Sequence, residues 1–160
     1  MNFEIIQAQK QHKEILANLM QFYIYDFSEF LKFDVEEDGL YNEYPLEEYW
    51  NEEYHRFAYI VKQEDKHVGF VLVKYIDTIE PNYYSIAEFF IFRKYRKEGI
   101  GKAVATRIFD LHKGRWEVYQ IEDNTSAQIF WHKTINEYTK GKFTERIEKG
   151  RVIQNFMSNF

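Results

Sequence analysis

The residues best equipped for chemistry cluster between Glu88 and Lys102. Glu88 is the one charge in an apolar run, Tyr84 to Phe92, that is rich in aromatic residues and isoleucine. Apolar on nearly both faces, this run is expected to form a central, buried strand. A carboxylate in such surroundings holds its proton more tightly than one in water, which makes Glu88 a candidate general base or substrate anchor. The plainer alternative is a structural carboxylate paired with a nearby Lys or Arg. Beyond Tyr95 the pattern changes. Ile100, Val104, Ile108 and Leu111 recur at helical spacing, so a helix is expected to begin at about Gly99. Gly99 and Gly101 carry no side chain, which lets a ligand approach backbone N–H groups at the positive end of that helix. Lys97 and Lys102 add cationic charge, and the combination suits a pyrophosphate. The plainer reading is that the glycines serve tight packing. Other phosphate loops fit worse: no third glycine completes G-x-G-x-x-G, and Ala103 follows Lys102 where a Walker loop needs Ser or Thr.

The elements that must position these residues follow from periodicity. Phe3 to Ile6 is expected as a short strand and Gln11 to about Phe30 as a helix with Ile15, Leu19, Phe22 and Tyr23 on its buried stripe. A short helix is expected near Leu46 to Trp50. Phe57 to Val61 and Val68 to Tyr75 form a hairpin through Glu64-Asp65-Lys66. After the helix from Gly99 to His112, Gly114 interrupts and Arg115 to Ile121 is the next strand, completing a parallel β-α-β crossover. Asn124 is a good N-cap for a helix carrying Ala127, Phe130, Trp131, Ile135 and Tyr138. Lys142 to Ile147 and Arg151 to Phe156 close the chain as a hairpin about Glu148-Lys149-Gly150.

The spacing Arg96-x-x-Gly99-x-Gly101 after a central strand resembles the acetyl-CoA-binding motif of the GNAT superfamily of N-acetyltransferases, and the element order covers that family's full order. The preceding Glu-Phe-Phe-Ile, with Tyr95-Arg96 entering the turn, is especially similar to polyamine and small-amine members. The resemblance implies a mixed α/β (α+β) fold, a central mixed sheet of six or seven strands flanked by helices, in a single domain over residues 1–160. It implies acetyl-CoA as co-substrate, without a metal, held by Phe90, Ile91, Arg93, Arg96, Lys97, Glu98, Gly99, Ile100, Gly101 and Lys102. Asn124-Thr125-Ser126-Ala127 matches the family's Asn-x-x-Ala helix start, which puts Asn124, Ala127 and Trp131 beside the pantetheine arm. Many members carry at position 131 the tyrosine that protonates the leaving thiolate. An indole is no useful acid, so Tyr138, one heptad further on, is the candidate general acid, with Tyr95 or water as alternatives. An ammonium of pKa about 10.4 must lose a proton before it can attack, and Glu88 is the candidate to take it. In family members the acidic position also occurs one residue earlier, where this chain has Ala87. Backbone N–H groups near Phe89 to Ile91 would serve the developing oxyanion if the strand splays from its parallel neighbour.

Composition narrows the field. A chain of 160 residues with 45% hydrophobic content and 19% aromatic content buries roughly 70% of its unfolded surface as one compact unit. Zero cysteines exclude disulfides and an acyl-cysteine mechanism. The net charge of −5 argues against general nucleic-acid binding. The histidines lack metal-like spacing. No apolar run approaches the ~20 residues of a membrane span, and the N-terminus lacks a secretory pattern, so a cytoplasmic location is expected and the Asn124-Thr125-Ser126 sequon is set aside. Between Tyr23 and Tyr54 eleven carboxylates face Lys32 alone, a local charge of −10 that leaves +5 for the remainder. The plain reading is a solvated loop. Tyr23, Tyr25, Tyr41, Tyr44, Tyr49 and Trp50 are interleaved with these acids, however, and aromatic faces beside carboxylates suit an ammonium group.

The expected activity is direct acetyl transfer to a primary amine, with a small cationic or polyamine-like acceptor favoured. Two alternatives stay open: a protein N-terminus or lysine as acceptor, and an acyl-CoA-binding regulatory module without turnover, suggested by Trp131. The expected partner is a small-molecule amine, with neither nucleic acid nor membrane, and a homodimer is left open.

Overall fold

The computed structural model describes residues 2–158. Its elements are β1 (Glu4–Gln7), α1 (Lys13–Leu31), α2 (Glu47–Asn51), β2 (Arg56–Gln63), β3 (Lys66–Ile76), β4 (Tyr83–Ile91), α3 (Ile100–Leu111), β5 (Gly114–Ile121), α4 (Thr125–Thr139), β6 (Thr144–Glu148) and β7 (Arg151–Ser158). The strands form one seven-stranded mixed sheet in the order β1-β2-β3-β4-β5-β7-β6. Every neighbouring pair is antiparallel except β4 and β5, which α3 joins as the expected crossover.

Each face of the sheet is covered by helices. On one face α3 and α4 bury Val104, Ile108, Phe109, Trp131 and Ile135 against Val71, Val73, Ile91 and Trp116. On the other, α1 and the segment around α2 bury Leu16, Leu19, Met20 and Leu46 against Ile60, Phe70, Leu72 and Phe90. Burying each such large side chain contributes roughly 1.5–3 kcal/mol before conformational entropy is counted. The stripe of α1 differs from the sequence expectation by one position. Leu16, Leu19 and Met20 are the buried residues, whereas Ile15 is 37% and Phe22 55% exposed. Leu16, Leu19, Met20, Tyr23 and Phe27 make a continuous i, i+3, i+4 face of their own, and packing selected that face over the neighbouring one. Phe22 rests on Phe92 at the rim, with ring centroids 5.3 Å apart.

Two irregularities in β4 set the geometry of its central stretch. Across β3 the register jumps from Leu72–Glu88 to Val73–Ile86, which makes Ala87 an extra residue, a β-bulge. Toward β5 the parallel ladder consists of one pair, Tyr84 with Trp116. Beyond that pair the two strands run on without pairing, so the splay that the family resemblance implied is present.

Candidate active site

The bulge decides where Glu88 points. Strand residues alternate faces, so Phe89 and Ile91 pack toward α3 and α4 while Phe90 packs toward α1. With Ala87 inserted, both Ala87 and Glu88 fall on the α1 face. There Glu88 is half-buried. Burial pushes its carboxyl up to about 7, against the opposing pull of a hydrogen bond from Tyr23 and the charge of Lys74. Tyr23 comes from α1, where its ring meets Phe70 and Phe90 edge-on at 5.7 and 5.8 Å. Tyr44 and Tyr49, from the segment around α2, complete the surroundings, and burial together with Glu88 pushes the Tyr44 hydroxyl well above its ordinary range. Three tyrosines and a carboxylate that titrates near neutrality thus gather on the α1 side of the splay.

The open edge of β4 lies beside it. The Phe92 N–H donates to the Val68 carbonyl on β3, so by alternation Phe90 also directs its polar groups to β3. Phe89 and Ile91 direct theirs toward β5, where the ladder is absent. Of the N–H groups expected near Phe89 to Ile91, those of Phe89 and Ile91 therefore face the splay and that of Phe90 does not. Glu88 and Ile91 are about 10 Å apart along the strand.

The turn after β4 is held from α1. Arg96 donates from Nε to the Ile91 carbonyl at 2.7 Å and from its terminal nitrogen to Asp26 at 2.9 Å. Arg93 takes the other Asp26 oxygen at 2.8 Å. Desolvation raises the Asp26 carboxyl, but the hydrogen bonds from both guanidinium groups outweigh it and hold the group below the usual range. Lys102 pairs with Glu137 on α4 at 2.6 Å. Of the cations that the sequence offered to a phosphate, Arg93, Arg96 and Lys102 are thus engaged with protein carboxylates. Lys97 and Glu98 are exposed in the turn. Gly99, the N-cap, has φ 85°, a left-handed conformation that favours glycine. No side chain caps α3, so the first N–H groups of a twelve-residue helix, those of Ile100, Gly101 and Lys102, keep their donors outward. A Cβ at Gly101 would lie 3.1 Å from the Phe130 ring, so this glycine serves α3–α4 packing. The uncapped N–H groups and Lys97 fit a pyrophosphate, with backbone doing more of the holding than the lysines suggested.

On α4, Asn124 accepts from the Ala127 N–H at 3.1 Å, the N-cap expected from sequence. Trp131 is buried with its ring edge-on to Phe89 at 4.9 Å, and it closes the α4 side of the splay. Tyr138 is not brought to this group. Its hydroxyl donates to Asp110 on α3 at 2.8 Å and its ring packs on Phe109 and Phe156, about 10 Å further along the helix than Trp131. A heptad returns to the same face, yet it moves the side chain away from the splay.

Three residues gain importance that the sequence did not single out. Asp26 was one of eleven acids in a charged segment, with nothing local to mark it. Lys74 ends the inward-facing set of β3 on the Glu88 side, and a lone cation closing an apolar strand was the available signal. Tyr119 on β5 lies near Tyr23 and Tyr44, with the Arg151 guanidinium 4.4 Å above its ring. Of the remaining acids, Glu48 and Glu52 lie 3.2 and 4.0 Å from Arg56, and Glu36, Glu37 and Asp38 are exposed in a loop. Among the described residues no group of His, Asp and Glu is arranged to hold a metal ion, and no helix is long and apolar enough to cross a membrane.

A family model described as acetyltransferase (GNAT) family matches residues 20–135. No curated protein matches the sequence. Among solved structures, the PaiA N-acetyltransferase of Thermoplasma acidophilum in complex with coenzyme A aligns over 98% of this chain and 99% of that one, at 13% identity and TM-score 0.64. An acetyltransferase from Thermus thermophilus aligns over 98% and 97% at 13% identity and TM-score 0.68. A chimeric spermidine N-acetyltransferase from Vibrio cholerae aligns over 99% and 96% at 14% identity and TM-score 0.63. At such identities the likeness is one of fold.

Proposed function

The chain belongs to the acetyltransferase (GNAT) family and is an acetyl-CoA-dependent N-acetyltransferase; from that premise we propose that it acetylates the primary amine of a small molecule by direct attack, with Glu88 as the base. The observation that carries this reading is the half-buried Glu88, pushed up to about 7, beside the unpaired edge of β4. Bound acetyl-CoA supplies the activated acetyl group as a thioester. Lys97 and the N–H groups of Ile100, Gly101 and Lys102 are the proposed holders of its pyrophosphate, with Asn124, Ala127 and Trp131 bounding the arm. Glu88 takes the ammonium proton of the acceptor, directly or through one water, and Tyr23 keeps the carboxylate aimed. The N–H groups of Phe89 and Ile91 stabilise negative charge developing on the acetyl oxygen. As the C–N bond forms and the C–S bond breaks, the attacking nitrogen gives its second proton to solvent and the thiolate leaves. A thiol of pKa near 8.5 is a fair leaving group, and solvent protonates it, since neither Trp131 nor Tyr138 is a suitable donor.

A polyamine-like acceptor has the acidic segment in its favour. Asp26, Glu48 and Glu52 are drawn into pairs with arginines, however, which leaves that reading to exposed loop carboxylates. Acetyl-CoA offered with small amines, polyamines, a free lysine side chain and a peptide N-terminus tests the activity by thiol release. Turnover with a small amine is expected. Release no faster than without acceptor, for every amine, would leave only an acyl-CoA-binding role, and release with the peptide alone would move the acceptor to protein.

A further inference from the structure

Glu88 lies near one cation, Lys74, that an amine acceptor does not call for. Lys74 on β3 lies directly across from Arg56 on β2 and from Ser85 on β4. Its neighbour Val73 faces α3 and α4, so alternation turns Lys74 to the α1 face that Glu88 shares. Lys74 is half-buried, and among the described residues it forms no ion pair at salt-bridge distance. Desolvation and the nearby Arg56 lower its pKa, with Arg151 adding to them, while Glu88 alone opposes. Arg56, already paired with Glu48 and Glu52, leads from Lys74 into a cleft of about 650 Å³ whose lining includes Glu52, Glu53, Tyr54 and Asp77.

A half-buried ammonium carrying no ion-pair partner is costly in a protein at rest. Its cost is recovered when a ligand brings the opposite charge. A second ammonium, such as the far end of a polyamine, would meet Lys74 as a like charge in partly desolvated surroundings. A carboxylate or phosphate would instead receive a charge-assisted hydrogen bond from Lys74. We propose that the acceptor carries an anionic group besides its amine, and that Lys74, flanked by Arg56, binds that group while Glu88 receives the amine. The inference rests on the acetyltransferase reading of the same site and adds the acceptor's class: a small zwitterion of the amino-acid or phosphoamine kind. Lys74 is the specificity-determining residue, and the tyrosines supply walls that tolerate varied carbon skeletons.

The test compares amines matched in shape and differing in charge: 4-aminobutyrate with its amide and with putrescine, alanine with alaninamide, and O-phosphoethanolamine with ethanolamine. For at least one anionic member, kcat/KM should exceed that of its neutral partner on the order of tenfold or more, the worth of one hydrogen bond between charged groups. The carboxylate and phosphate arms tell which anion is read. Lys74→Met should collapse that ratio and Lys74→Arg should restore it. Because both members of a pair use the same base, any change in Glu88 cancels from the ratio. Turnover in which putrescine or the neutral partners equal or exceed the anionic ones overturns the inference and leaves the acetyltransferase reading intact. A ratio that survives in folded Lys74→Met overturns it as well. If Lys74→Met does not fold, the parent's own ratios decide. Absence of turnover with every amine overturns both readings.

Discussion

Glu88 is the residue on which the chemistry turns, and its environment makes two separable demands. Burial raises its pKa from 4.5 to about 7, so the fold favours the protonated form. The stability this contributes is complete below the unfolded value and is lost as pH rises through about 7. Glu88→Gln is neutral throughout, and its unfolding free energy is expected to match the parent's near pH 4 and to exceed it at pH 8, by a margin on the order of 2 kcal/mol. A structural ion pair would give the reverse, a variant weakened at pH 8. Tyr23 acts through Glu88 by donating to it, which favours the carboxylate. Tyr23→Phe removes that donor, and the acid limb of kcat should move to higher pH while the plateau rate falls less than for Glu88→Gln. An unmoved limb would make Tyr23 a packing residue only.

At the scale of elements, one helix serves both halves of the site. Tyr23 and Asp26 stand three positions apart on α1, so they share a face. The first reaches the base and the second ties down the turn at Arg93 and Arg96. α1 thereby couples the position of Glu88 to that of the uncapped start of α3. Asp26→Asn should cost about 1 kcal/mol of stability, modest because the pairs are partly exposed. It should also weaken coenzyme A binding severalfold in calorimetry, through a loosened turn. Unchanged affinity at reduced stability would separate the clamp from the ligand. Since the folded carboxyl is held below its usual range, the clamp's contribution is present above about pH 4 and fades as acid protonates Asp26.

Across the whole molecule, the order of elements was legible because helix and strand periods are local properties. The two hairpin turns, the N-cap Asn124 and the crossover through α3 all stand as the residues implied. The bulge at Ala87 was not legible, since a register jump depends on which strand pairs alongside. Nor was the single Tyr84–Trp116 pair, which is set by competition among three neighbouring strands. The charge segment was legible as composition and misleading as a map, because Asp26, Glu48 and Glu52 reach arginines distant in sequence. The loop acids Glu36, Glu37 and Asp38 remain as a distant field, screened over about 8 Å at physiological salt. Replacing all three by amides should raise kcat/KM for an anionic amine at low salt by no more than about threefold, and the gain should vanish at high salt. A preferred cationic amine whose kcat/KM falls in the same variant would restore the cationic acceptor. The most direct test of the whole account is kcat for thiol release from acetyl-CoA, with the preferred amine, measured against pH in the parent and in Glu88→Gln. The parent should rise through an apparent pKa near the value of about 7 set by burial and then level off, whereas Glu88→Gln should lack that limb and run ~10²-fold slower or worse at the plateau. A folded Glu88→Gln that keeps the parent's rate and the parent's limb would contradict Glu88 as the base.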